Sequence, residues 1–105
     1  MQGVDLVKTC TVVTLSEEVT VYNGIEELKE TLFSLYQQGF STMVLDFTYL
    51  TIIDASGLSV LLVFQSRLKA VGGELKIVNI TSHYLRDLFQ MINLHRVISI
   101  EDGPL

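Results

Sequence analysis

Strand-like and helix-like segments alternate along nearly the whole chain, and this alternation limits the fold more than any other feature. Thr9–Leu15 is rich in β-branched residues and reads as a strand, with a second short strand either at Val4–Val7 or at Glu18–Val21. From Gly24 to Gln38, Ile25, Leu28, Leu32, Leu35 and Tyr36 recur at helical spacing. Asn23 is the expected N-cap of this helix and Gly39 its stop. Thr42–Phe47 is a short apolar strand of the kind buried on both faces. A second helix is predicted from Ser56 to Val71, with its start within 55–58, and Gly72-Gly73 ends it ahead of the strand Glu74–Asn79. Ser82 caps a third helix running to about Ile92, anchored by Leu85, Leu88, Phe89 and Ile92, and Arg96–Ile100 is the last short strand. Such an order calls for right-handed crossovers and an α/β fold, a mostly parallel four- to five-stranded sheet with helices packed on it. The opening strands are candidates for antiparallel pairing.

The composition narrows the function classes. Of 105 residues, 49% are hydrophobic, enough for a core, and no Pro- or Gly-rich linker divides the chain, so residues 1–105 read as a single domain. A net charge of −5 with seven scattered Lys and Arg argues against nucleic acid as a partner. The apolar stretch 47–66 is interrupted by Asp54, Ser56, Gly57, Ser59 and Gln65. A spanning helix needs ~20 largely apolar residues, so no direct membrane insertion is expected. The N-terminus lacks a basic region followed by an apolar one, which makes the cytoplasm the expected location. The single Cys10 allows no internal disulfide and is expected as a buried, inert thiol.

No catalytic or metal constellation emerges. His83 and His95 lack metal-ligand spacing and a third ligand, and both are expected at the surface. Ser56, His83 and Asp54 make a triad only on paper, because Ser56 sits in no Gly-x-Ser-x-Gly elbow. Gly72-Gly73 follows a helix rather than a strand and is no phosphate loop. No enzyme activity and no cofactor are expected.

Val44–Leu61 (Val-Leu-Asp-Phe-Thr-Tyr-Leu-Thr-Ile-Ile-Asp-Ala-Ser-Gly-Leu-Ser-Val-Leu) resembles the signature of the STAS family, the anti-sigma-factor antagonists. In that signature a buried strand leads through a loop to an Asp-Ser-Ser-Gly-Leu-like motif that opens a helix. Gly72-Gly73, the Glu-Leu-Lys-Ile-Val strand and the Leu88-Phe89-x-Met91-x-x-Leu94 segment also fall where the family has them. The match covers about residues 41–100. It is weaker in the N-terminal third, where Glu17-Glu18-Val19-Thr20 stands in place of the family's Gly-Glu-Leu-Asp. The resemblance implies a STAS-like fold and a bacterial, cytoplasmic protein-interaction module. Its partner would be an anti-sigma factor or serine kinase in a partner-switching pathway. The alternative is a non-phosphorylated STAS subunit of a larger assembly, such as a lipid-transport complex or a stressosome-like scaffold. A second copy of the chain, giving a homodimer, also stands among the candidate partners.

In the family a kinase phosphorylates the first hydroxyl residue after the aspartate, and the added charge disrupts the partner surface. Here that position is Ala55. Either Ser56, the next residue, is the acceptor, or the module binds its partner constitutively. Ser56 reads first as a helix N-cap, and Asp54 as a first-turn carboxylate or as a contact for partner or kinase. The partner surface is expected at Asp54, Ala55, Ser56, Gly57, Leu58, Leu62 and Val63. The last two carry the physical argument. Val60, Leu61, Phe64, Leu68 and Val71 form one apolar face of the second helix, and Leu58, Leu62 and Val63 lie off it.

Overall fold

The computed structural model describes residues 10–101. The chain runs β1 (Cys10–Thr14), β2 (Glu18–Val19), α1 (Ile25–Gln37), β3 (Thr42–Asp46), β4 (Ile52–Ile53), α2 (Ala55–Ala70), β5 (Glu74–Val78), α3 (His83–Met91), a 3₁₀ turn (Leu94–Arg96) and β6 (Ser99–Glu101). A four-stranded sheet in the order β1-β3-β5-β6 is parallel throughout, and β2 and β4 form a separate parallel pair. The α/β class and the mostly parallel sheet follow the sequence pattern. The opening strands do not pair antiparallel: β1 lies beside β3 in register Cys10↔Thr42 to Thr14↔Asp46, and β2 leaves the main sheet. The alternative strand Val4–Val7 lies outside the described residues.

Each strand of the sheet adds on the same side of the one before, so right-handed crossovers put the three helices on one face. Burial follows. Met43, Leu45, Leu75 and Ile77 are fully buried against the helices, while Thr42, Val44, Glu74 and Lys76, one residue out of phase, are half-exposed. β3 is therefore not buried on both faces, as its apolar run suggests, because among the described residues the second face of the sheet carries no layer. The same geometry explains Cys10. It is exposed rather than buried, since it lies on the edge strand and its register partners Thr42 and Glu74 face the open side.

Helix ends are set locally. Asn23 does not cap α1, because its backbone closes a tight turn with Thr20 through two hydrogen bonds. The cap position falls to Gly24 at φ +90°, where a Cβ would lie 2.0 Å from the Glu18 carbonyl oxygen. Gly39 and Gly72, both at positive φ, end α1 and α2 as expected. Ser82 caps α3, its hydroxyl accepting the Leu85 N–H at 3.2 Å. Val71 and Ile92 fall at helix C-caps and are exposed, so neither is the core anchor that periodicity suggested. The last strand starts at Ser99 rather than Arg96, because Leu94–Arg96 turns as a 3₁₀ segment that buries Leu94 ahead of Ile98.

α2 is the central helix. Leu61, Phe64 and Leu68 bury into the core beside Leu32, Leu45 and Leu75. Removing one such leucine side chain costs about 2–5 kcal/mol. Gln65 is buried among them and ties two segments of the chain together. Its Oε1 accepts the Leu75 N–H at 2.7 Å and its Nε2 donates to the Val97 carbonyl at 2.6 Å. β6 pairs with β5 only from Lys76 onward, so the Gln65 side chain supplies the acceptor that a longer β6 would have given Leu75.

Candidate functional site

The N-terminal end of α2 is held by the small β2–β4 pair, which matches Glu18 to Ile52 and Val19 to Ile53. The Thr51 N–H adds a bond to the Glu17 carbonyl at 2.8 Å. The Tyr49–Ile53 run has no strand periodicity, and its sequence reads as loop. It becomes a strand because β2 offers a backbone edge.

Asp54, directly after β4, is the N-cap of α2. Its Oδ1 accepts the Gly57 N–H at 2.8 Å, and its Oδ2 accepts the Val21 N–H at 3.0 Å. The Asp54 carbonyl accepts the first helical bond, from the Leu58 N–H at 3.0 Å. The cap is thus Asp54 rather than Ser56, two residues earlier than the hydroxyl suggested. The Val21 amide, and after it the Gly57 amide, hold the Asp54 carboxyl below the usual aspartate range. One side chain therefore fixes both the start of α2 and the 20–24 turn. Gly57 is required by close approach: a Cβ there would lie 2.5 Å from the Val19 carbonyl oxygen and 2.7 Å from Ile53 Cγ1. Its smallness serves helix-to-strand packing inside the domain.

A second anchored carboxylate, Asp46, ends β3. The Thr48 hydroxyl donates to it at 2.6 Å and the Asn79 side-chain amide at 3.2 Å, and the hydroxyl contact leads in lowering its pKa. Thr81 Oγ1 also bonds the Thr48 carbonyl at 2.8 Å. These contacts tie the loops at the carboxyl ends of β3 and β5 and fix the turn leading toward α2.

The residues singled out in sequence divide accordingly. Ala55 and Ser56 are exposed in the first turn of α2. Asp54 is half-exposed with both carboxylate oxygens engaged by backbone amides, Gly57 is buried, and Leu58 leans on the core. Leu62 and Val63 stand out at 41% and 50% exposure. Sequence reasoning missed Val21, Tyr22 and Ile52, which are exposed on the two segments that Asp54 and the β2–β4 pair hold together. Tyr22 is 92% exposed. Their signal was long-range pairing, invisible to periodicity. His83 and His95 are exposed, and no group of three metal-ligating side chains occurs among the described residues. Ser56, His83 and Asp54 form no triad, because Asp54 is bonded to backbone amides and His83 opens a different helix.

A strand ending in an anchored loop, an aspartate cap and a buried glycine at the third helical position make up the local architecture. A family model for the STAS domain matches residues 3–103. The chain belongs to the STAS family. Among solved structures, the anti-sigma factor antagonist SpoIIAA in its unphosphorylated form is 22% identical, with a TM-score of 0.69, over 92% of this chain and 83% of that one. The phosphorylated form, described as a Bacillus cell fate determinant, is 23% identical with the same TM-score, over 92% and 85%. A Thermotoga maritima protein is 20% identical with a TM-score of 0.74, over 90% and 80%. The STAS fold also matches part of the murine Solute Carrier 26 family member A9 anion transporter, at 18% identity and a TM-score of 0.68, over 92% of this chain and 17% of that one. At these identities the likeness is one of fold. No curated protein matches. No helix among the described residues is long and apolar enough to cross a membrane.

Proposed function

We propose that this STAS domain is a non-catalytic anti-sigma-factor antagonist that docks on an anti-sigma factor or serine kinase in the bacterial cytoplasm. The observation that carries the reading is the exposure of Leu62 and Val63 on α2, continuous with the exposed first turn Ala55-Ser56. Apolar side chains left in solvent beside a rigidly capped helix end suit protein recognition. Val21, Tyr22 and Ile52 extend the surface. The anti-sigma factor antagonist among the similar structures supports this choice of partner class. Because Ala55 has no hydroxyl, the partner is bound constitutively unless Ser56 takes the phosphate. A helix N-terminus favours such an anion, while the Asp54 charge beside it does not.

The test is capture from the source cell on immobilised protein, wild type against Val63→Glu, with mass spectrometry of what is retained. A histidine-kinase-like ATPase bound by wild type and lost with the variant supports the reading. Retention of transporter subunits instead favours the second reading, a STAS subunit of a larger assembly, to which the STAS-like part of an anion transporter lends support.

A further inference from the structure

Taking this domain to dock a protein at the start of α2, as proposed above, we infer that the docking surface extends over the whole end of the sheet where the strands finish, and that its occupant is a protein face rich in Arg and Lys. The four-stranded sheet is parallel, so the loops 15–24, 47–54 and 79–82 and the starts of α1, α2 and α3 gather at one end. Val21, Tyr22, Tyr49, Ile52 and Tyr84 stand exposed there, Tyr49 at 61% and Tyr84 at 63%. The Thr81–Thr48 bond sets the Tyr49 loop beside the turn into Tyr84, and the Asp54–Val21 bond fixes the Tyr22 turn beside α2. Exposed tyrosines on rigidly tied loops suit an interface, because they offer contact area at little entropic cost.

The charges name the occupant. Glu17, Glu18, Glu26, Glu27, Asp46 and Asp54 all lie at this end, and no Lys or Arg occurs in residues 15–28, 46–59 or 79–85. The nearest cation on α1, Lys29, is paired with Glu26 at 3.5 Å, and Arg86 lines the cleft between α3 and β6. Arg67, Lys69, His95 and Arg96 lie at the opposite end, on the last turn of α2 and the 3₁₀ segment ahead of β6. Each helix N-terminus brings about half a positive charge, which the carboxylates outweigh. Asp54 and Ser82 moreover already engage the Gly57 and Leu85 amides. Glu17 is exposed, and its carbonyl takes the Thr51 and Ile52 amides at 2.8 and 3.2 Å, which seats it beside Ile52. Its carboxylate makes no ion pair among the described residues. The rings of Tyr22, Tyr49 and Tyr84 take part in no ring stacking or cation contact among the described residues. A tyrosine face draws a guanidinium, and Arg more than Lys because its plane stacks on the ring. Carboxylates interspersed with open rings therefore fit a basic face and disfavour an acidic one.

The two parts of the surface act differently. Leu62 and Val63 on α2 supply apolar burial, which sets how long a complex lasts. The acidic end supplies attraction at a distance, which sets how fast a basic partner arrives and how strongly salt slows it.

Titration of nitrogen-15-labelled protein with a capped peptide of four Arg-Gly repeats tests it, beside equal peptides of Lys-Gly and Glu-Gly. Amide shifts should concentrate in residues 16–24, 47–56 and 81–84, with a dissociation constant on the order of 1 mM that rises with salt. The Arg peptide should bind more tightly than the Lys peptide, and the Glu peptide should not bind. Glu17→Gln and Tyr22→Ala, both at exposed positions, should melt like wild type and each weaken the Arg peptide about two- to fivefold. Shifts spread equally over Glu30, Asp87 and Glu101 would show general attraction to an acidic chain and overturn the inference. An Arg peptide that fails to bind, or that binds both variants like wild type, overturns it equally. Partner capture separates this outcome from the docking reading. An ATPase lost with Val63→Glu but retained by Glu17→Lys and Tyr22→Ala at every salt concentration keeps that reading and removes the basic face. Arg-peptide shifts at this end with no such ATPase retained keep the basic face and remove the anti-sigma factor.

Discussion

The carboxylate of Asp54 and the backbone amide of Val21, thirty-three residues apart, are joined at 3.0 Å, and this bond makes the 20–24 turn and the start of α2 one rigid unit. The other oxygen of the same carboxylate caps the helix through the Gly57 N–H at 2.8 Å. Exposed Tyr22 and exposed Ala55 are therefore held in fixed relation by a single side chain.

The charge on Asp54 gives a pH signature. Its folded-state pKa is depressed, first by the Val21 amide and then by the Gly57 amide. A depressed carboxyl contributes stability that is present above the unfolded value, near pH 4, and is lost as pH falls through the folded value. Asp54→Asn keeps a side-chain acceptor for the cap but loses the charge. The variant should melt below wild type at neutral pH, with the gap closing as pH drops below about 4. Thermal melts from pH 7 to pH 2.5 check this. A gap that stays constant across the range would show that the charge is irrelevant.

Gly57→Ala should destabilise the domain by about 1–3 kcal/mol, as overpacking does. The new methyl would lie 2.5 Å from the Val19 carbonyl oxygen and 2.7 Å from Ile53 Cγ1, and the backbone oxygen, held in the β2–β4 pair, has little room to yield. Urea denaturation measures the loss. Amide exchange at Val19 and Ile53 should rise, because the methyl pushes α2 off the β2–β4 pair.

Gln65→Leu keeps the volume of a buried side chain but strips the Leu75 N–H and the Val97 carbonyl of their partners. One buried donor left unpaired, with a part-buried carbonyl beside it, costs about 1–3 kcal/mol. The loss should show in denaturant midpoint and in faster amide exchange at Leu75. A midpoint equal to that of wild type would mean that solvent reaches both groups.

The alternation of elements and the glycine stops were legible because they are local, and so was the pairing of Asp54-Ala55-Ser56-Gly57 with a helix start. What sequence could not resolve was set at a distance. β4 is two residues long and exists because β2 lies beside it. Asp54 and Ser56 are near-equal cap formers by type, and the β4 boundary, not propensity, decides between them. Cys10 lies in an apolar run, yet whether an edge strand faces helices or solvent depends on which side the crossovers fall. Leu62 and Val63 were legible as off-face residues because α2 is regular from Ala55 to Ala70. Val21, Tyr22 and Ile52 carried no periodic signal at all.

Val63→Glu should weaken partner binding by tenfold or more while lowering the melting temperature little. At 50% exposure the carboxylate remains in water, so folding tolerates it. A charge desolvated at the centre of an interface does not fit unless it is paired. Calorimetric titration of the captured partner, run beside thermal melts, separates the two effects. A large melting loss with unchanged affinity would place Val63 in the core.

Ala55 decides whether a kinase can act here. A methyl group accepts no phosphoryl group, so treatment of the wild type with the cognate kinase and ATP should leave its intact mass unchanged or add phosphate at Ser56 alone. Ala55→Ser should create an acceptor, because Ala55 is exposed and Asp54 and Gly57 still shape the turn around it. Phosphate on that serine brings a charge of about −2 to the helix end, next to the Asp54 carboxylate and against the docked partner. Partner affinity should fall on phosphorylation of the variant and recover with phosphatase. Ala55→Glu should imitate the loss only in part, since one charge stands for two. Intact-mass spectra and peptide mapping follow the modification. Phosphate at high occupancy on Ser56 in the wild type would end the constitutive reading, and phosphate on Thr51 or Ser59 would show that the acceptor lies outside the first turn of α2.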